Sequence, residues 1–151
     1  MELRGIGVGS QAAVGKVFLL ATSESVYETR NSERSPDQEA SILKTAIATT
    51  AETIREEAAL ADKQSQDIIS ALLVMLEDPE LTRMAEPYLK EGFDAPTALF
   101  KALDDLEGLM ESDQDFVSRV ADLRGVAAKI SAWIRGIAAG PEIPSEGSWV
   151  I

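Results

Sequence analysis

The segment Leu76-Glu77-Asp78-Pro79-Glu80-Leu81 constrains this chain more than any other. It sets a proline among three carboxylates, inside a long run of helically spaced apolar residues. A proline in a helix interior removes a hydrogen bond and clashes with the preceding turn, at a cost of about 3 kcal/mol. The rod must therefore bend there, or stop and restart. Asp78 is suited to cap a new helix, and Pro79 to its first position, where no backbone donor is needed. The segment should form a bend that displays Glu77, Asp78 and Glu80.

The helical pattern extends well beyond this point. Ser35-Pro36-Asp37-Gln38 is a strong start, with Ser35 as cap, Pro36 in the first position and Gln38 closing a capping box. Ile42 or Leu43, Ala46, Ile47, Ile54, Ala58 and Ala61 follow at helical spacing. A second helix is expected from about Ser65 to Asp78, with Ile68, Ile69, Leu72, Met75 and Leu76 on its apolar side. It resumes after Pro79 with Leu81, Met84, Ala85 and Leu89, and stops at Gly92. A third begins at the Asp94 cap and carries Leu99, Ala102, Leu103, Leu106 and Leu109 or Met110. A fourth runs from about Asp113 to Ile137 with Phe116, Val120, Leu123, Ala127, Ile130 and Ile134, and Gly140-Pro141 should end it.

The ends differ from the middle. Leu3 to Val8 and Val14 to Leu20 read as short strands, as does the tail Ser148 to Ile151, and residues 21–35 read as a polar linker. The expectation is a mainly α fold, an antiparallel four-helix bundle with the second helix bent at Pro79. The few strands, from 3–20 and 148–151, would belong to a separate sheet.

Composition narrows the chemistry. The 151 residues include no histidine and no cysteine. Imidazole proton transfer, serine–histidine pairs and histidine- or thiolate-bound zinc are thereby excluded. Absence of cysteine fits a cytoplasmic protein. There is no apolar run of about 18 residues for a membrane span, and no basic region followed by an apolar one at the start. The net charge is −12, from 26 acidic and 14 basic residues. That argues against a nucleic-acid partner. It serves solubility, or attracts a basic protein partner.

Two glycine motifs fail on context. Gly5-Ile6-Gly7-Val8-Gly9 has no preceding strand and no following helix, and Gly15-Lys16 lacks both the leading glycine and the hydroxyl of a phosphate loop. Glu77, Asp78 and Glu80 are too few and too tightly spaced for a hard-cation cage. They read as caps and partner contacts. An enzyme built on carboxylates within the bundle ranks last, since the acidic residues fall mainly on polar helix faces. Arg119 can pair along its helix with Asp115 or Asp122. Arg124 has no carboxylate three or four residues away, so its partner must come from another helix or another molecule. Met75, Leu76, Leu81 and Met84 flank the bend and suit either a core or a binding surface.

Three stretches together resemble the N-terminal part of Enzyme I of the bacterial phosphoenolpyruvate-dependent sugar phosphotransferase system. The family opens with Gly-Val-Ser-Pro-Gly-Ile-Ala-x-Gly-Lys, and here Val8 to Lys16 reads Val-Gly-Ser-Gln-Ala-Ala-Val-Gly-Lys. Its helical insertion carries Met-x-Leu-Glu-Asp-Pro-Glu-Leu, matched by Val74 to Leu81. Its last helix carries Arg-Ala-Ala-Asp-Ile-Arg-Asp-Val, matched by Arg119 to Val126, with Gly125 in place of an acidic residue. The resemblance implies that 21–140 form a helical subdomain that docks the histidine-containing phosphocarrier protein (HPr). Residues 1–20 and 141–151 would be fragments of an α/β phosphohistidine subdomain. It places Ile68, Leu72, Met75, Asp78, Glu80, Leu81 and Arg119 on the docking face. It implies no catalytic residue, cofactor or metal ligand in this chain, with the phosphohistidine, magnesium and the dimerisation barrel lying elsewhere in a longer parent. A paralogue serving nitrogen regulation or dihydroxyacetone phosphorylation would look similar, and a non-enzymatic acidic interaction domain is the contrasting possibility.

Overall fold

The computed structural model describes residues 27–109 and 112–137. Its helices are α1 (Pro36–Ala58), α2 (Lys63–Leu76), α3 (Pro79–Lys90), α4 (Ala95–Leu109) and α5 (Gln114–Arg135). The fold is mainly α, as the apolar spacing predicts. The strands expected at 3–20 and 148–151, and the two glycine motifs, lie outside the described residues.

Local chemistry sets most helix boundaries. Ser35 accepts from the Gln38 amide at 3.2 Å while the Gln38 side chain accepts from the Ser35 amide at 3.0 Å, a complete capping box with Pro36 behind it. Asp62 caps α2 by accepting from the Ser65 amide and hydroxyl, both at 3.0 Å. These bonds to the charged form hold the Asp62 carboxyl below its ordinary 3.8. A depressed carboxylate stabilises the fold above its unfolded-state value, and that contribution is lost as the pH falls through the folded value. An NMR pH titration of the Ser65 amide should therefore show a midpoint below 3.8. A midpoint at or above that value would show that the cap is not formed.

The rod around Pro79 stops and restarts. Glu77 closes α2, its amide donating to the Leu73 carbonyl at 2.9 Å. Asp78 caps α3 with Oδ1 accepting from the Glu80 amide at 2.8 Å, and Pro79 takes the first turn. The single bent helix becomes two, α2 and α3. Pro87 lies inside α3, which continues through it to Lys90. Gly92, at φ +95°, ends that segment in a conformation disfavoured for side-chain-bearing residues. Gly136, at φ +63°, ends α5. The helix thus ends two residues before the expected Ile137, because the left-handed cap arrives first, and Gly140-Pro141 lie outside the described residues.

The core runs through all five helices. Leu43, Ala46, Ile47 and Ala51 of α1 meet Leu73 and Leu76 of α2, Leu81, Ala85 and Leu89 of α3, Ala98, Leu99 and Leu103 of α4, and Leu123, Ala127 and Ile130 of α5. α1 packs against each of the others, α3 most extensively against α4, and α4 against α5. α2 leans on α1 and more lightly on α5, which leaves much of its surface uncovered.

The connection into α1 is pinned. The Ser32 amide donates to the Gly92 carbonyl at 2.8 Å, the Asp94 amide to the Arg30 carbonyl at 3.0 Å, and the Arg30 amide to Thr97 Oγ1 at 3.0 Å. Asn31 and Phe93 form an isolated antiparallel bridge.

Candidate functional site

α2 carries an uncovered apolar face. Ile68 is 56% and Val74 71% exposed, and Leu72 and Met75 are partly buried against the core. Beside this face, α2 and α5 enclose an open groove of about 470 Å³, lined by Ile68, Ile69 and Leu72 on one side and Arg119, Ala121, Asp122, Gly125, Val126 and Lys129 on the other. Distant parts of the sequence thus bring Ile68, Leu72 and Arg119 to one place. Asp78 and Glu80 are exposed at the far end of α2.

Leu81 does not belong to this surface. It is 3% exposed and sits in the core with Leu76 and Ala85. The restart at Pro79 turns it inward, so it supports the face from beneath. The negative charge expected at the bend is also largely balanced. Glu77 pairs with Arg55 of α1, Glu80 with Arg83 one turn on, and Asp78 is engaged as a cap. Among the described residues no group of three or more acidic side chains converges to hold a metal ion.

Arg119 and Arg124 of α5 part ways. Arg124 reaches across to α4, with Asp104 and Glu107 each at 2.7 Å, the interhelical pairing expected of a cation without a carboxylate on its own helix. Arg119 is exposed, and among the described residues neither Asp115 nor Asp122 pairs with it. It instead borders the groove together with Lys129. In a chain of net charge −12, this groove carries two cations against the single carboxylate of Asp122.

Sequence reasoning missed two features. Val74 lies off the buried stripe of Ile69, Leu73 and Leu76, and an apolar residue off-stripe was the available signal. The second is a polar junction of about 430 Å³ under the α3–α4 turn, lined by Arg30, Asn31, Ser32, Glu33, Arg34, Glu39, Asp94, Ile134 and Arg135. Glu39 is 1% exposed, and accepts from the Ala95 amide at 2.8 Å, Ser32 Oγ at 2.5 Å and Arg34 at 3.3 Å. Its spacing to Leu43 and Ala46 placed it on the core face of α1. Arg135 grips Asp94 with Nη2 at 3.1 and 3.0 Å from the two carboxylate oxygens.

A helix pair broken at Asp78-Pro79 and a long last helix thus frame an uncovered apolar face and its groove. The family described as "PEP-utilising enzyme, N-terminal" matches residues 4–119, and the chain belongs to it. Among its relatives is the phosphoenolpyruvate-protein phosphotransferase of Listeria innocua, 32% identical over 144 residues, covering 90% of this chain and 25% of that protein. That of Bacillus subtilis is 30% identical over 151 residues, covering 95% and 26%. The chain thus spans about a quarter of the curated relatives it matches. Among solved structures, an Enzyme I protein determined in solution by NMR superposes with a TM-score of 0.63 at 27% identity, over 80% of this chain and 52% of that one. The N-terminal domain of the nitrogen Enzyme I shares the fold at TM-score 0.63 and 21% identity, over 76% and 50%. No helix among the described residues is long and apolar enough to cross a membrane.

Proposed function

We propose that this chain is the carrier-docking part of an Enzyme I, and that α2 with its groove receives HPr. The parent would pass the phosphoryl group of phosphoenolpyruvate through an enzyme histidine to HPr, for sugar uptake in the cytoplasm. The chain contains no histidine, so in this reading the phosphorylated residue and the magnesium site belong to other parts of the parent, and the chain alone is inactive. The observation that carries the reading is the uncovered surface of α2, where Ile68 is mostly exposed and lines an open groove and Val74 is exposed outside that groove. Apolar side chains clustered around a cavity and rimmed by polar groups suit a protein partner. A transient carrier needs only a modest interface, on the order of 1,600 Å² or less.

The test is an NMR titration of the labelled 151-residue chain with HPr from the same organism. Amides of residues 68–80 and those around Arg119 and Gly125 should shift together. Unmoved amides there at millimolar HPr would refute the docking face. Because the nitrogen Enzyme I shares this fold, a parallel titration with the nitrogen-pathway carrier assigns the pathway: the tighter binder is the physiological partner.

A further inference from the structure

Gly125 stands in the middle of α5, an exposed position with nothing in the fold that requires glycine. Its φ is not positive, and a Cβ built there meets no atom within 4 Å. Glycine is among the poorest helix formers, so a glycine without a conformational or packing reason weakens its helix for no local return. What its missing side chain leaves is space. Ala121, Gly125 and Lys129 recur every four residues along one face of α5, and that face is the wall of the groove opposite Ile68 and Leu72.

We infer that Gly125 is the specificity-determining residue of the groove. Its missing side chain admits a bulky apolar side chain from the docked carrier, while Arg119 and Lys129 at the rim receive a neighbouring carboxylate of the same partner. This rests on the docking reading above and adds to it which partner surface fits. The occupant is set by charge and shape together. The walls are apolar at Ile68, Ile69, Leu72 and Val126, and Arg119 has no carboxylate partner among the described residues. A partner surface that was only basic would meet two like charges there.

Calorimetric titration of the full chain with HPr decides the matter, using wild type, Gly125→Ala, Gly125→Leu, Lys129→Glu and Asp122→Lys. Gly125→Leu should weaken binding at least about tenfold, equivalent to about 1.4 kcal/mol, and Gly125→Ala by less than about threefold. Both should unfold at or above the wild-type temperature, because alanine and leucine each favour the helix over glycine. Lys129→Glu should weaken binding and Asp122→Lys should strengthen it. Wild-type affinity in Gly125→Leu overturns the inference and leaves the docking reading standing, whereas no binding by wild type removes both. A lowered unfolding temperature in Gly125→Ala overturns it by giving the glycine a structural role. Reversed signs in the charge pair overturn the partner carboxylate. Self-association abolished by Gly125→Leu would assign the groove to a second copy of the chain and also overturn it.

Discussion

Replacing Asp94 by alanine is expected to cost about 3–5 kcal/mol, the range for removing one partner of a buried ion pair. The Asp94 and Arg135 side chains are only 15% and 4% exposed, and they meet through three contacts of 3.0 to 3.3 Å. Little water reaches Arg135, so lost carboxylate contacts are not replaced by hydration. The same carboxylate caps α4, accepting from the Thr97 amide at 2.9 Å, and a lost cap alone costs about 1 kcal/mol. Asp94→Asn separates the two roles, since its amide oxygen still accepts from Thr97 but the charge is gone. It should lose less than the alanine variant. Urea unfolding of both variants measures this, and a loss below about 1 kcal/mol for Asp94→Ala would show that the pair is not the buried clamp described here.

Ile68→Asp should weaken carrier binding by about 2 kcal/mol or more, roughly thirtyfold, which is the effect of removing a central anchor. Stability should change little, within about 0.5 kcal/mol, because Ile68 is 56% exposed and surface substitutions seldom cost more. The contrast between these two readouts is the informative part. Leu72 is less suitable, since it also packs against the core and would confound binding with folding. Calorimetry gives the affinity, and thermal unfolding confirms that the fold persists. Unchanged affinity in Ile68→Asp would move the docking face away from α2.

Capping and breaking were legible in the sequence because they are settled within a few residues. Ser35 with Gln38 and Asp78 with Glu80 need no distant neighbour, and their geometry follows from residue type and spacing. The left-handed stop at Gly136 was less visible. Apolar spacing continues through Ile137, and nothing local distinguishes Gly136 from a tolerated interior glycine. The candidate site was legible only in part. Ile68, Leu72 and Arg119 meet at one groove, but Leu81 turned out to be core. Helical spacing marks a stripe without saying which of its residues a neighbouring helix will cover.

Charge pairing shows the same division. Arg119 has two carboxylates at favourable helical spacing, yet pairs with neither, while Arg124 has none and finds two on α4. An exposed pair along one helix gains only about 0.3–0.5 kcal/mol, so spacing alone does not decide which pairs form: Glu80 meets Arg83 one turn on, while Arg119 meets neither carboxylate. Arg124, a partly buried cation, has less hydration to fall back on and takes what the adjacent helix offers.

The sequence by itself determined where helices begin and break and to which family the chain belongs, since these are written in residues a turn apart or in contiguous motifs. Only the tertiary structure decided that Glu39 and Asp94 are clamps and that Arg119 lines a groove. The physical reason is distance along the chain. Glu39 and Ala95 are 56 residues apart, Asp94 and Arg135 41, and Arg55 and Glu77 22. Partnerships that long depend on which helices pack together, and packing also selects which apolar face remains open to a visitor.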